Sequence, residues 1–465
     1  MSSSSCSCTP RGRQLLLDAL RHQDAPAVPW VPFAGVHAGS LLGHDAQSIL
    51  TDADKLFSSL LRVNELYDPD GQPVIFDLQL EAEILGCALA WAEKTPPSVA
   101  THPLATEKRI PDKLPERHEG RLPIVLDVMA RMKDAVGDHT ALFGLVCGPL
   151  TLASHLRGTD LFMDMFDDPD YVHALLRHCA QVAERMADYY IETGMDIIAF
   201  VDPLVSQISP HTFGQFLHTP FQQLFATLRE RSVTSSLFVC GDATKNVEAM
   251  CRVAPDSIFV DENIHLPSAK AITDRYNITI GGNIPLTTTM LLGSQQDNIK
   301  WVVDMLDAVE HHNLVLAPGC DMPYDTPLEN VVGVVQAVRE PERYREMLAN
   351  YHAPETTYEI ALPDYAHLER PLVEVFTLDS NSCAACGYML VATQRAVTEL
   401  AGQVDMVEYK ATVPENIARM KAMGIANLPC IMINGELAFS SLIPSNRELL
   451  ALLKAAIDRQ SDGIE

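Results

Sequence analysis

DIIAFVDP at residues 196–203 and SLFVCGD at 236–242 are short, almost continuously apolar runs that run into an aspartate, with a helical pattern over 212–231 between them. Continuous apolarity marks a strand buried on both faces, and a helix joining two such strands marks a parallel crossover. The alternation extends in both directions. VPWVPFAG ends at Gly35, QPVIFD at Asp77, ALFGLVCG at Gly148, SIFVDEN at Asn263, ITIGGNI at Ile284 and NLVLAPGC at Cys320, which makes eight strand candidates. Helical spacing also runs over 170–193. This order predicts an α/β fold that begins with a (β/α)8 TIM barrel. An open doubly wound sheet is the alternative, but no G-x-G-x-x-G follows an early strand.

A barrel of this kind places its active site at the C-terminal ends of its strands. Here those ends supply His37, Asp77, Asp202, Cys240, Asp242, Asp261, Glu262, Asn283 and Cys320. His37, Asp77, Asp202 and Asn283 are candidates for contact with a cofactor or substrate, and strand-end hydrogen bonding is the competing explanation.

With 61 acidic against 34 basic residues the chain carries a formal charge of -27, which repels nucleic acid and anionic membrane surfaces. No apolar run reaches the roughly 18 to 20 residues of a membrane span, and the Ser-rich start does not look like a signal peptide. A cytoplasmic protein with a small molecule or a protein as partner is expected. The 11 cysteines, an odd number in a long chain, point to free thiols, metal ligands or redox chemistry rather than a secreted disulfide framework. Cys6 and Cys8 fall in a leader, 1–10, expected to be disordered.

A barrel over 11–350 is followed by a polar, Pro-containing linker at 351–370 and by a second pattern over 371–465. There LVEVFTLD (372–379) and VDMVEYKA (404–411) are strand candidates, and helical patterns run over 383–400 and 414–423. A hairpin turns at Asn434-Gly435, and a final helix starts at 446. The order βαβαββα is that of a small thioredoxin-like α/β domain. Cys383-Ala384-Ala385-Cys386 falls where its first strand meets its first helix. A helix N-terminus favours thiolate, so this C-x-x-C pair can cycle through a disulfide. Leu428-Pro429 sits where the thioredoxin fold places a cis-proline beside its active thiols. This half resembles thioredoxin-like and glutaredoxin-like proteins, and Cys383 and Cys386 are its expected catalytic residues. Half of a zinc site is the alternative, with Cys430 the nearest further cysteine.

Thiolates at the ends of two barrel strands, Cys240 and Cys320, can converge on one zinc ion that keeps a substrate thiol nucleophilic at neutral pH. FAGVHA (33–38) followed by Leu42-Gly43, DLQLEAEILGC (77–87), GPLTLAS (148–154), ISP (208–210), GGNIP (281–285) and APGC (317–320) together resemble the methylcobalamin:coenzyme M methyltransferase branch of the uroporphyrinogen decarboxylase superfamily. The resemblance covers roughly residues 11–345. It implies a zinc site made by a His-x-Cys pair and a distant Cys, with the metal activating a thiol that takes a methyl group from cobalt. This chain keeps Cys240 and Cys320 but has Phe238 in the histidine's place, which leaves Asp261, or Glu262 one residue on, to complete a site for zinc or another thiolate-binding divalent ion.

The resemblance therefore implies a corrinoid-dependent methyltransferase. Its partners would be a corrinoid protein or free methylcobamide, and a small thiol or methylated small molecule. The C-terminal domain would reduce, deliver or accept the thiol. A thiol redox or metal-handling protein built on a barrel that has lost methyl transfer is the second expectation. Tetrapyrrole decarboxylation is the third, because residues 28–45 lack the arginines that tetrapyrrole carboxylates require.

Overall fold

The computed structural model describes residues 12–352, 358, 360–380, 384–425 and 427–462. Seven parallel strands follow one another in a single sheet: Gly71–Pro73, Ala141–Cys147, Ile197–Val201, Thr234–Val239, Ser257–Val260, Thr279–Ile284 and Leu314–Pro318. The eighth element is a bridge at Trp30. Its segment joins the last strand through Val31 N to Leu316 O and Leu316 N to Pro29 O, both 2.9 Å, and the first through Asp70 N to Trp30 O at 3.0 Å. The (β/α)8 barrel is thus closed by a segment too short to count as a strand. Pro29 and Pro32 flank Trp30–Val31 and have no N–H to extend a ladder, and Pro73 ends the next strand in the same way. The expected strands over 28–35 and 72–77 are accordingly much shorter than their apolar runs.

Five phenyl rings, Phe33, Phe76, Phe143, Phe238 and Phe259, fill the barrel interior together with Val31, Ala199 and Val315. The helix Arg13–Leu20 plugs the lower end, burying Leu16, Leu17 and Leu20 against this cluster. Long amphipathic helices such as Pro169–Glu192 coat the outside, and their apolar stripes form the larger core with the outward faces of the strands. The helical pattern at 212–231 is two helices, Pro210–Phe216 and His218–Glu230.

Several strand ends are fixed by buried carboxylates. Asp202, with no exposed surface, accepts from Leu150 N and Thr151 N at 2.9 Å and from the Thr151 hydroxyl at 2.6 Å, so it caps the helix Pro149–Arg157. A Cβ on Gly148 would collide with this carboxyl, which is why that turn has glycine. Asp202→Ala would leave three donors unmatched and is expected to cost about 2–3 kcal/mol. A shift in the thermal midpoint checks this, and an unchanged midpoint would contradict the capping role.

The C-terminal part has a four-stranded sheet in the order Asp405–Lys410, Leu372–Thr377, Cys430–Ile433, Glu436–Ser440, the first pair parallel and the rest antiparallel. Helices Ala384–Glu399, Pro414–Ala422 and Asn446–Asp462 complete it. Asn434 and Gly435 both have positive φ, as a two-residue hairpin turn of this hand requires. Its core is Val373, Val375, Met389, Ile431, Leu449 and Leu453. This is the βαβαββα order expected from the sequence. Among the described residues, no helix is long and apolar enough to cross a membrane.

Candidate active site at the barrel mouth

Cys240 follows the strand Thr234–Val239 and Cys320 follows Leu314–Pro318. Both sit on top of the interior phenyl cluster. Their Cα atoms are 6.1 Å apart and the sulfurs are joined as a disulfide, although 80 residues separate them in the chain. Barrel curvature brings the two strand ends to one rim.

The disulfide is part of the wall of a cavity of about 570 Å³, within the ordinary size range of small-molecule sites. Asp261, Glu262 and Asp321 line it from the barrel side. The opposite wall belongs to the C-terminal domain: Leu378, Asp379, Cys386, Thr412, Leu428 and Pro429. The Leu428–Pro429 peptide is cis. Cys386 is buried, and its sulfur accepts from Leu378 N at 3.3 Å. Cys383, like Cys6 and Cys8, lies outside the described residues.

The domain is held over the mouth by the helix Ala384–Glu399, which packs on the turn Pro203–Gln207. Tyr388 on that helix packs against the barrel's outer core beside Ser154, and desolvation there raises the pKa of its phenol. Cys386 and the Cys240–Cys320 pair thus line one cavity, an arrangement the sequence left open.

Asp261, 3% exposed, accepts from Asn263 N at 2.7 Å and also from the Asn263 side chain, and burial holds its carboxyl above the usual range. The other expected contact residues have partners inside the protein, and none of them lines the cavity. His37 is fully buried between the Tyr67 hydroxyl at 2.6 Å and Tyr324 O at 3.1 Å, and burial lowers its pKa to about 4, so it is a neutral structural link. Asp77 pairs with Arg121, whose Nε also reaches Glu83 at 2.8 Å. Asn283 donates to Asp261 O at 3.0 Å and Ile264 O at 2.7 Å, pinning the loop that carries Asp261. Asp202 is the helix cap described above. For these four, strand-end hydrogen bonding accounts for every observed contact.

Other residues were not singled out from sequence. Gln79, Thr95, His155, Thr287 and Asp321 line the cavity, and each carries a buried polar atom with no hydrogen-bond partner among the described residues. Unmade bonds of this sort cost about 1–3 kcal/mol each, so the cavity favours a polar occupant that could supply them. Burial lowers the pKa of His155 to about 3, leaving the ring neutral, and pushes Asp321 well above the carboxylate range. His155 directly follows the GPLTLAS block and Asp321 directly follows Cys320, and this adjacency was the one available signal.

A zinc ion implied by the family does not fit this donor set. A disulfide offers no thiolate. Phe238 is committed to the interior, 4.8 Å from Phe33 between ring centroids. Among the described residues no group of three or more His, Cys, Asp or Glu side chains is placed to hold a metal.

Comparison with known proteins agrees with this architecture. Residues 11–341 match the uroporphyrinogen decarboxylase (URO-D) family model and residues 372–454 match a thioredoxin domain. Methylcobamide:CoM methyltransferase MtbA of Methanosarcina acetivorans is 27% identical over 340 residues, covering 71% of this chain and 98% of the relative. Methylcobamide:CoM methyltransferase MtaA of Methanosarcina barkeri is 32% identical over 269 residues, covering 56% and 76%. A solved methyltransferase from Methanosarcina mazei superposes with a TM-score of 0.65 at 24% identity, covering 71% of this chain and 98% of its own, and shares the fold. The chain belongs to the uroporphyrinogen decarboxylase (URO-D) family, close to the methylcobamide:CoM methyltransferases, and carries a thioredoxin domain at its C-terminal end.

Proposed function

We propose that the barrel moves a methyl group from a methylated corrinoid to a thiol bound in the cavity at its mouth. The observation that carries this is the convergence of Cys240 and Cys320 at the rim of a cavity sized for a small thiol, in a chain whose relatives are named methylcobamide:CoM methyltransferases. In the step, the acceptor's sulfur lone pair forms a bond to the methyl carbon. The carbon–cobalt bonding pair stays on cobalt, and the thiol proton leaves to water or to a carboxylate of the mouth.

The chain's own part is to hold the acceptor and exclude water. Gln79, Thr95, His155 and Thr287 offer the acceptor hydrogen bonds. The apolar interior below, closed by Phe33, Phe76 and Phe238, keeps the sulfur poorly hydrated. The corrinoid, free or carried by a partner protein, approaches from outside the cavity. Zinc assistance, the finer expectation from the resemblance, requires Cys240 and Cys320 as thiols and a third ligand, and no step is routed through it here.

The test is to incubate reduced protein with methylcobalamin and either coenzyme M or 2-mercaptoethanol, following the methylcobalamin spectrum and the thioether product. Demethylation is expected at least tenfold above the thiol-only rate, with that excess reduced in a Gln79→Ala/Thr287→Ala variant that removes two of the groups offered to the acceptor. A rate equal to the thiol alone would remove the reading.

A further inference from the structure

Three of the chain's cysteines line the cavity among the described residues: Cys240 and Cys320, joined to each other, and Cys386 on the facing wall. The remaining described cysteines are poorly suited to exchange. Cys87, Cys251 and Cys430 are buried, and burial pushes their pKa up to about 12. Cys147 and Cys179 are fully buried and raised as well. A thiol of that pKa is almost wholly protonated at neutral pH and is a poor attacking group.

From this placement we propose that the dithiol to which Cys386 belongs reduces the Cys240–Cys320 disulfide within the same molecule, so that the fused domain sets the thiol state of the barrel mouth. The proposal rests on the cysteine site described above and not on which methyl donor uses it. It gives the C-terminal domain a specific substrate, the barrel's own disulfide, in place of a diffusing protein partner.

The exchange balances as follows. A thiolate of the C-x-x-C motif attacks one sulfur of the Cys240–Cys320 bond, and that bond's electron pair leaves on the other sulfur, which takes up a proton. The resulting mixed disulfide joins the two domains. The second thiol of the motif attacks it, loses its proton, and expels the remaining barrel sulfur as a thiol. Two electrons and two protons pass to the barrel, and the motif is left as a disulfide. A further cycle requires an external dithiol reductant to reduce the motif.

The geometry supports this route over direct reduction from solution. The disulfide and Cys386 line the same cavity, so the motif's thiols need no diffusion through solvent to meet Cys240. Tyr388, partly buried against the barrel's outer core, and the packing of Ala384–Glu399 on Pro203–Gln207 keep the helix that carries Cys386 beside the barrel. A tethered thiol acts at an effective concentration on the order of mM, about a hundredfold above a dithiol supplied at ~10 µM.

The test uses the full chain. Oxidised wild type, the two single variants Cys383→Ser and Cys386→Ser, and the double variant are given ~10 µM dithiol. Samples are quenched in acid, alkylated and peptide-mapped over time. One of the single variants is expected to accumulate a mixed disulfide between the motif and Cys240 or Cys320, with a yield independent of protein concentration. The double variant, checked for folding by circular dichroism, should keep Cys240–Cys320 oxidised about a hundredfold longer than wild type. Equal reduction rates in wild type and double variant, with no mixed disulfide in either single variant, would overturn the proposal. So would finding Cys240 and Cys320 as separate thiols after oxidation with a mild disulfide. Methyl transfer is read separately, on double variant reduced by a phosphine that is then removed. Transfer there with no exchange in wild type sinks the relay alone, and exchange with no transfer sinks the methyl-transfer reading alone.

Discussion

Asp70→Ala should destabilise the barrel by about 3–5 kcal/mol and lower its thermal midpoint by roughly 10 °C. Asp70 has no exposed surface and accepts from Gly12 N at 2.6 Å, Trp30 N at 2.8 Å and the Arg339 guanidinium at 2.9 Å. One carboxylate therefore ties together the start of the bottom helix, the short bridging segment and the last barrel helix, Leu328–Arg339. The prolines around Trp30 leave closure with few ladder bonds, so the carboxylate supplies what a full strand would have supplied. Removing it leaves the Gly12 and Trp30 N–H groups without an acceptor and the half-buried Arg339 guanidinium with Asp68 as its remaining partner, which is the costly way to break such a network. Asp70→Asn, which keeps one acceptor, should fall between the two. Calorimetry on the full chain checks this, and a midpoint shift below about 2 °C would show that closure does not depend on Asp70.

Phe238→His should convert the mouth into a zinc-responsive site. Residues i and i+2 of a strand point to the same side, so a side chain at 238 projects inward below Cys240. Without metal the substitution is expected to cost about 2–4 kcal/mol. It removes one ring of the cluster, which has centroid separations of 4.8 Å to Phe33 and 5.8 Å to Phe259, and buries an imidazole with nothing to bond. With Cys240 and Cys320 reduced, the imidazole and two thiolates form a three-ligand set for zinc. Zinc at about a hundred times its dissociation constant would return roughly 2.7 kcal/mol. The expected result is a variant whose midpoint rises with zinc only after reduction, while wild type responds at least tenfold more weakly. If the reduced variant ignores zinc, position 238 does not address the cysteine pair.

Much of the architecture was legible because it is written in short-range periodicity. Continuous apolar runs such as 197–201 and 314–318 became buried parallel strands, and Asn434-Gly435 became the hairpin turn. The meeting of Cys240 and Cys320 was legible too, since both end strands of one closed sheet and such ends share a rim. Strand lengths near the start were less legible. There the prolines that stop a ladder outweigh an apolar composition that favours a strand.

The sequence by itself determined that a parallel barrel precedes a thioredoxin-like domain, that two cysteines stand at barrel strand ends, and that Cys386 falls near the start of the second domain's first helix. These follow from residue types at fixed spacing, which act over a few residues. Only the tertiary structure decided that Cys386 and the Cys240–Cys320 disulfide face one cavity, because that depends on Tyr388 and its helix docking on the turn 203–207, a contact between surfaces far apart in the chain. It also decided which groups His37, Asp77, Asp202 and Asn283 bond to, namely Tyr67, Arg121, Thr151 and the Asp261 loop. A buried polar group must bond to whatever the fold brings within reach, and that partner lies elsewhere in the sequence.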